Sequence, residues 1–281
     1  MTVDIQKIKI YRDKKFIETY ISETTKPLIL VGSGNSIYKP STHIGENISQ
    51  ALLDAKIDFV RTWSEWPKDD WVYNNGVYAP NQERRINEKP YYAIWEGGNY
   101  VFGNDFCLVS QGQVYNLNDQ ESVFSFQEEL KNAFGLKSVY IMPYKGHKHI
   151  DLVIGYVPWK NLFVVDESYF RENQELLERI LSDLNSYLIL SSENLAPNFF
   201  VYDYCFYGEE RFVVTYASPT LSKRLERRGI FVIQPRNASV EHLRYMGGAS
   251  CCMNKIHNLG LLNQIVEENE GKRVYMKNPH I

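Results

Sequence analysis

The stretch HIDLVIGYVPWKNLFVVD, residues 149–166, decides how the chain is read. It holds two short apolar runs, at 152–157 and 161–165, with Pro158-Trp159-Lys160 between them. Both are strand-length and too short for a buried helix. A helical pattern near 170–185 follows, so the unit reads strand, strand, helix.

Outward from this stretch the unit recurs. Strands near 92–109 precede a helix at about 121–135, where Val123, Phe126, Leu130 and Phe134 share one face, and a strand at 137–142 follows. FVVTYA at 212–217 precedes a helix around 219–228, and IFVIQP follows. Near the start, PLILVG at 27–32 reads as a buried strand. Ser41-Thr42 offers a cap there, and Ile44, Ile48, Leu52 and Ala55 recur at helical spacing before the strand DFVRTW at 58–63. A last amphipathic stretch, LLNQIVEENEG, occupies 261–271. The pattern makes about five helical segments interleaved with strand pairs, and no Pro/Gly/Ser-rich linker divides them. A single α/β domain spanning 1–281 is the expectation.

Composition narrows the classes. The chain has 281 residues, 44% hydrophobic and 14% aromatic, which suits a globular core and excludes a disordered chain. Its 31 basic and 34 acidic residues give a net charge of −3, without the basic excess of a general nucleic-acid binder. The N-terminus MTVDIQKIKIYRDKK has no apolar h-region, and no apolar run approaches a membrane span. Cys107, Cys205, Cys251 and Cys252 suit neither a disulfide ladder nor a CxxC zinc clip. A reducing, cytoplasmic setting with free thiols is expected. A homodimer is the commonest assembly for such a chain.

Two weak signals resolve to ordinary readings. Gly32-Ser33-Gly34 lacks the third glycine of a dinucleotide loop and reads as a tight turn. Asn237-Ala238-Ser239 is a glycosylation sequon that has no meaning in a protein that is not secreted.

Reactive residue types concentrate in three segments: Glu96-Gly97-Gly98-Asn99; His147-Lys148-His149-Ile150-Asp151; and Gly247-Gly248-Ala249-Ser250-Cys251-Cys252-Met253. If the second is extended, His147, His149 and Asp151 share one face. They then form either a metal site of HxHxD type, whose final His is replaced by Leu152, or surface histidines in a loop. In the third, adjacent cysteines on a strand point to opposite faces, so one can face a cavity while the other is buried. A thiol nucleophile needs a base, and His149 with Glu96 to orient it would supply one. A buried structural cysteine is the alternative.

Taken in order, the three segments resemble the guanidino-group-modifying enzymes of the pentein superfamily. That group includes arginine and agmatine deiminases, dimethylarginine dimethylaminohydrolase and the amidinotransferases. Glu96 to Asn99 matches an acidic-Gly-Gly-Asp/Asn motif, His149-Ile150-Asp151 an HxD motif, and Gly247 to Cys252 the glycine-rich segment that carries the nucleophile. The resemblance implies an α/β fold of five-bladed αβ propeller type, with pseudo-fivefold ββαβ units. It also implies a hydrolase that acts on the guanidino group of an arginine-like small molecule through a covalent thiouronium intermediate. An amidinotransferase with the same site and a non-catalytic binding protein are the alternatives. ASCCM resembles the Cys-Cys pair of dimethylarginine dimethylaminohydrolase and picks Cys252 as the nucleophile. His149 and Glu96 become its catalytic partners, and Asp151, Asn74, Asn99 and Gly248 become substrate contacts. No metal and no organic cofactor are implied, because the thiolate carries the covalent step.

Two departures stand out. Asp70 to Gly76 occupies the place of a W-x-R-D-x-G motif, with Tyr73 for Arg and Asn74 for the Asp that would pair with a guanidinium. The places where deiminases of free arginine hold its carboxylate read Ser110-Gln111-Gly112-Gln113 and Ser250-Cys251, with no arginine.

Overall fold

The computed structural model describes residues 6–12, 15–21, 26–32, 44–62, 64, 66–74, 76–80, 82–86, 89–94, 97–113, 119–143, 149–192, 198–204, 210–217, 219–236, 248–257 and 276–277. Four of its sheets repeat one pattern: an antiparallel strand pair, a helix, and a third strand parallel to the second. Tyr100–Phe102 and Phe106–Ser110 pair antiparallel, helix Gln120–Phe134 crosses over, and Ser138–Met142 adds in parallel. Ile154–Val157, Leu162–Asp166 and Tyr187–Ser191 repeat this, as do Phe199–Tyr204, Glu210–Thr215 and Val232–Ile233 around helix Pro219–Glu226. In the fourth case the first strand comes from far down the chain. Met253–Ile256 pairs antiparallel with Leu28–Val31, which runs parallel to Phe59–Thr62 across helix Ile44–Asp54. A late segment thereby completes an early sheet.

The remaining large sheet departs from the pattern. Trp71–Asn74 and Val77–Pro80 form its antiparallel pair, but the parallel neighbour is Gln6–Arg12, itself paired with Lys15–Ile21. A separate ribbon, Gln82–Ile86 with Lys89–Ile94, stands apart. The inner strands Tyr100–Phe102, Ile154–Val157 and Phe199–Tyr204 touch in succession.

Local chemistry explains the elements. Asp119 caps helix Gln120–Phe134 by accepting from the Glu121 amide, and Gly135 ends it at φ 68°, a left-handed position that favours glycine. Leu130, Ala133 and Phe134 bury its inner face. The helix expected near 170–185 is two helices, Glu167–Glu172 and Gln174–Asp183. Asn173, at φ −127° and ψ 27°, breaks the helical backbone between them, and Asp166 caps the first through the amides of Ser168 and Tyr169. The strand read at 212–217 spans Glu210–Thr215. Ser41-Thr42, Ser33-Gly34, the sequon at 237–239 and the stretch 261–271 lie outside the described residues. No described helix is long and apolar enough to cross a membrane.

Apolar packing locks neighbouring units together. Phe106, Tyr156 and Phe163 meet with ring centroids 4.6–5.7 Å apart, drawing together two sheets. Each such pair contributes about 0.5–1.5 kcal/mol beyond area burial. A second cluster joins Ile29, Ile44, Ile48 and Leu52 to Phe200, Phe212, Ala249, Cys252 and Met253, so the segment Ala249–Cys252 is anchored in hydrocarbon.

Candidate active site

Three short turns meet where the sheets converge. Pro67–Asp70 is one helical turn, opened by a proline that needs no amide partner. Gly97–Asn99 and Ile150–Leu152 are single 3₁₀ turns. The segment Ala249–Cys252 is a fourth short turn, capped by Gly248, and not the extended strand expected from the sequence. The difference decides the site. On a helical turn, side chains in succession point about 100° apart, not to opposite faces.

Cys251, not Cys252, meets the histidine. One ligand atom each from His149, Asp151 and Cys251 lie within 4.8 Å of one another. Cys252 is fully buried in the apolar cluster with Ile48, Phe212 and Met253. The helical turn directs the sulfur of Cys252, the cysteine expected to be the nucleophile, into the core.

Asp151 is almost wholly buried. Its Oδ2 accepts from Ser250 Oγ at 2.6 Å and from Lys68 Nζ at 2.7 Å, and the same ammonium donates to Ser250 Oγ at 2.7 Å. Its Oδ1 is buried and has no hydrogen-bond partner among the described residues. A carboxylate oxygen left in that state invites an N–H donor.

The Gly97-Gly98 pair permits close approach. A Cβ on Gly98 would lie 2.1 Å from His149 Nδ1, so the bare backbone lies against the imidazole. One on Gly97 would lie 2.0 Å from the Lys68 carbonyl oxygen. Asn99 is buried beside them. Glu96 and His147 lie outside the described residues. Among the described residues, Asp69 places an acid near the imidazole, its Oδ1 3.8 Å from His149 Nδ1.

Asn198 escaped the sequence reading. Its Oδ1 accepts from the Ser250 amide at 3.0 Å, and its Nδ2 donates to Cys251 Sγ at 3.6 Å. Gly248 packs on the same amide, for a Cβ there would lie 2.4 Å from Oδ1. So a side chain at position 248 would displace Asn198. Nothing in the local sequence Pro197-Asn198-Phe199 signals this contact.

Burial raises the Cys251 thiol above its ordinary value, and the charge of Asp151 raises it further; the hydrogen bond from His149 opposes both, and Asp69 adds to the rise. Desolvation and two carboxylates thus disfavour the thiolate of Cys251. A cation arriving between them would offset that field and favour the thiolate. Sulfur, imidazole and carboxylate could in principle also hold a metal ion. Here Asp151 already binds an internal ammonium, which occupies one of its oxygens.

A cavity of about 260 Å³ opens behind these turns. Asp151, Ser250 and Lys68 form part of its wall, with Tyr73, Asn74 and Lys255 elsewhere on it. Strands Trp71–Asn74, Tyr100–Phe102, Ile154–Val157, Phe199–Tyr204 and Met253–Ile256 all contribute to its lining.

No protein-family model and no curated protein matches the chain. Solved structures do match. Dimethylarginine dimethylaminohydrolase (DDAH) of Pseudomonas aeruginosa, a Cys-to-Ser mutant complexed with citrulline, superposes with a TM-score of 0.52 at 12% identity, over 81% of this chain and 98% of its own. The N-terminal domain of ArgZ, a cyanobacterial arginine dihydrolase with substrate bound, gives 0.53 at 13% identity over 83% and 99%. The same domain covalently bonded to a reaction intermediate gives 0.53 at 12% identity over 82% and 97%. The chain has the pentein fold. The resemblance carried by the three sequence motifs and the superposition of the whole backbone therefore agree at the level of fold.

Proposed function

We propose that this protein is a cysteine-dependent hydrolase of the guanidino group of a small molecule, built as one catalytic domain over 1–281. The five inner strands around the cavity are read as five blades, the fifth completed by Gln6–Arg12 in place of a crossover strand. The observation that carries the reading is the meeting of Cys251, His149 and Asp151 within 4.8 Å from segments about a hundred residues apart.

In this reading Asp151 Oδ1 accepts N–H groups of the guanidinium and fixes its plane. The substrate's charge offsets the two carboxylates, and the proton of Cys251 passes to His149. Sγ attacks the guanidinium carbon. The C–N bond to the departing amine breaks while the imidazolium returns its proton to that nitrogen. A thiouronium remains on Cys251, stabilised by Asp151. His149, now neutral, takes a proton from water. The hydroxyl adds to the same carbon, the C–S bond breaks, and the ureido product leaves with Cys251 restored. Asn198 donates to the sulfur and favours its anionic form. Glu96 is proposed to orient His149 together with Asp69, and Asn99 to hold the Gly-Gly turn. Water is the second nucleophile of this reading; an amine in its place would make the enzyme an amidinotransferase.

The test is a panel of guanidino compounds assayed for ammonia and ureido release, with chloroacetamidine labelling alongside. Turnover, together with labelling at Cys251 that slows sharply in His149→Ala, supports the reading. Labelling no faster than that of an ordinary exposed thiol, with no turnover of any compound, refutes it.

A further inference from the structure

Asn254 ties together two turns of the site. It lies on strand Met253–Ile256, which runs directly out of the turn bearing Cys251, and it is buried. Both hydrogens of its amide go to one distant segment. Nδ2 donates to the Pro67 carbonyl at 2.8 Å and to the Trp71 carbonyl at 3.2 Å. Oδ1 accepts from the Lys255 amide at 2.8 Å, which fixes the end of the side chain that faces those carbonyls.

The two carbonyls bracket Lys68, Asp69 and Asp70. A helical turn of four residues does not hold itself, because a first turn fixes several dihedral angles for little internal bonding. Here the Asp69 amide bonds the Trp66 carbonyl at 2.9 Å, and Trp71, at φ −160° and ψ 154°, has already left the helix. The Asn254 amide clamps both ends of the turn at once. The clamp is itself fixed, since Asn254 pairs with Leu30 in the ladder of strands Met253–Ile256 and Leu28–Val31.

The side chains on this turn reach the candidate site. Lys68 Nζ lies 2.7 Å from Asp151 Oδ2 and 2.7 Å from Ser250 Oγ, and Asp69 Oδ1 lies 3.8 Å from His149 Nδ1. We infer that Asn254 is a positioning residue: it holds Pro67–Asp70 so that Lys68 meets Asp151 and Asp69 meets His149 in register with Cys251. This rests on the reading of Cys251, His149 and Asp151 given above and adds what aims their partners.

The test is a set of double-mutant cycles in the full chain, read as the rate of chloroacetamidine labelling at Cys251. Asn254→Ala is compared with Asp69→Asn, with Lys68→Met and with each double variant. Loss of the clamp should slow labelling by roughly 10-fold, the scale of a small misplacement of a reacting group's partners. Asp69→Asn and Lys68→Met should each change the rate in the wild type, and each by less than about twofold in Asn254→Ala, because the turn is no longer aimed. The pH profile of labelling in Asn254→Ala should move toward that of Asp69→Asn. Asn254→Asp keeps the shape and the Oδ1 acceptor but removes both donors, and it should behave as Asn254→Ala does. Rapid labelling in the wild type, with effects of Asp69→Asn and Lys68→Met that keep their full size in Asn254→Ala or are absent in both backgrounds, overturns the inference and leaves the hydrolase reading intact. Failure of both Asn254 variants to melt cooperatively would show a general structural role and overturn it as well. Wild-type labelling no faster than that of an exposed thiol overturns both.

Discussion

Asn198 turns the amino end of its amide toward Cys251, with Nδ2 3.6 Å from Sγ, because its other end is held by the Ser250 amide at 3.0 Å. The side chain cannot flip without losing that bond. It therefore presents a donor to sulfur. Asn198→Ala should raise the thiol pKa and slow chloroacetamidine labelling by roughly 10-fold near neutral pH, the effect of losing a hydrogen bond to a charged group. Asn198→Asp should slow it more, by adding a third carboxylate beside the sulfur. A pH profile of labelling measures both, and a profile that does not move would show that the contact has no bearing on reactivity.

The two cysteines should separate cleanly. Cys251→Ser is expected to abolish turnover and chloroacetamidine labelling. Cys252→Ala is expected to keep both and to cost about 1–2 kcal/mol of stability, since it opens a small void in a filled apolar cluster. Peptide mapping of the labelled protein identifies the sulfur; label on Cys252 would reverse the assignment.

Lys68 pairs with Asp151 at 2.7 Å, and in the proposed reading it competes with the substrate for that charge. Lys68→Met removes that competitor. Guanidinium ion should then protect Cys251 at lower concentration than in the wild type, by roughly 10-fold, within the range for a partly buried ion pair. Weaker protection would mean that Lys68 positions Asp151 and does not compete for it.

His257 predicts a pH-dependent stability. Its Nδ1 lies 2.6 Å from Tyr78 Oη, whose oxygen also accepts from the His257 amide at 3.0 Å, so the phenol donates to Nδ1 and holds the ring neutral. Burial, reinforced by the charge of Lys255, lowers its pKa from 6.5 to about 4. Between these values the unfolded chain binds a proton that the folded chain refuses. Stability is therefore full above about pH 6.5 and falls as the pH drops toward 4, by roughly 3 kcal/mol at most. Denaturant melts at pH 7 and 4.5 measure the loss, and His257→Gln should reduce it.

The sequence by itself determined the units. The apolar runs at 152–157 and 161–165 and the face Val123, Phe126, Leu130 and Phe134 each record a local period, and local periods survive in a linear text. It also marked the segments that meet at the candidate site, because Gly97-Gly98, His149 to Asp151 and Gly248 to Cys252 concentrate residue types with few other uses. The tertiary structure alone decided which sulfur is presented. That choice turns on whether Ala249–Cys252 coils or extends, and coiling follows from packing against the sheets of Leu28–Val31 and Phe199–Tyr204. It alone brought Lys68, Asn198 and Lys255 to the site. Each reaches its partner through hydrogen bonds or a cavity wall shared by residues 50 to 180 positions apart in some pairs, as in Lys68 with Ser250 and Asn198 with Cys251. A lysine or an asparagine is common on any surface. Its meaning comes from what the fold buries beside it, and no linear spacing records that.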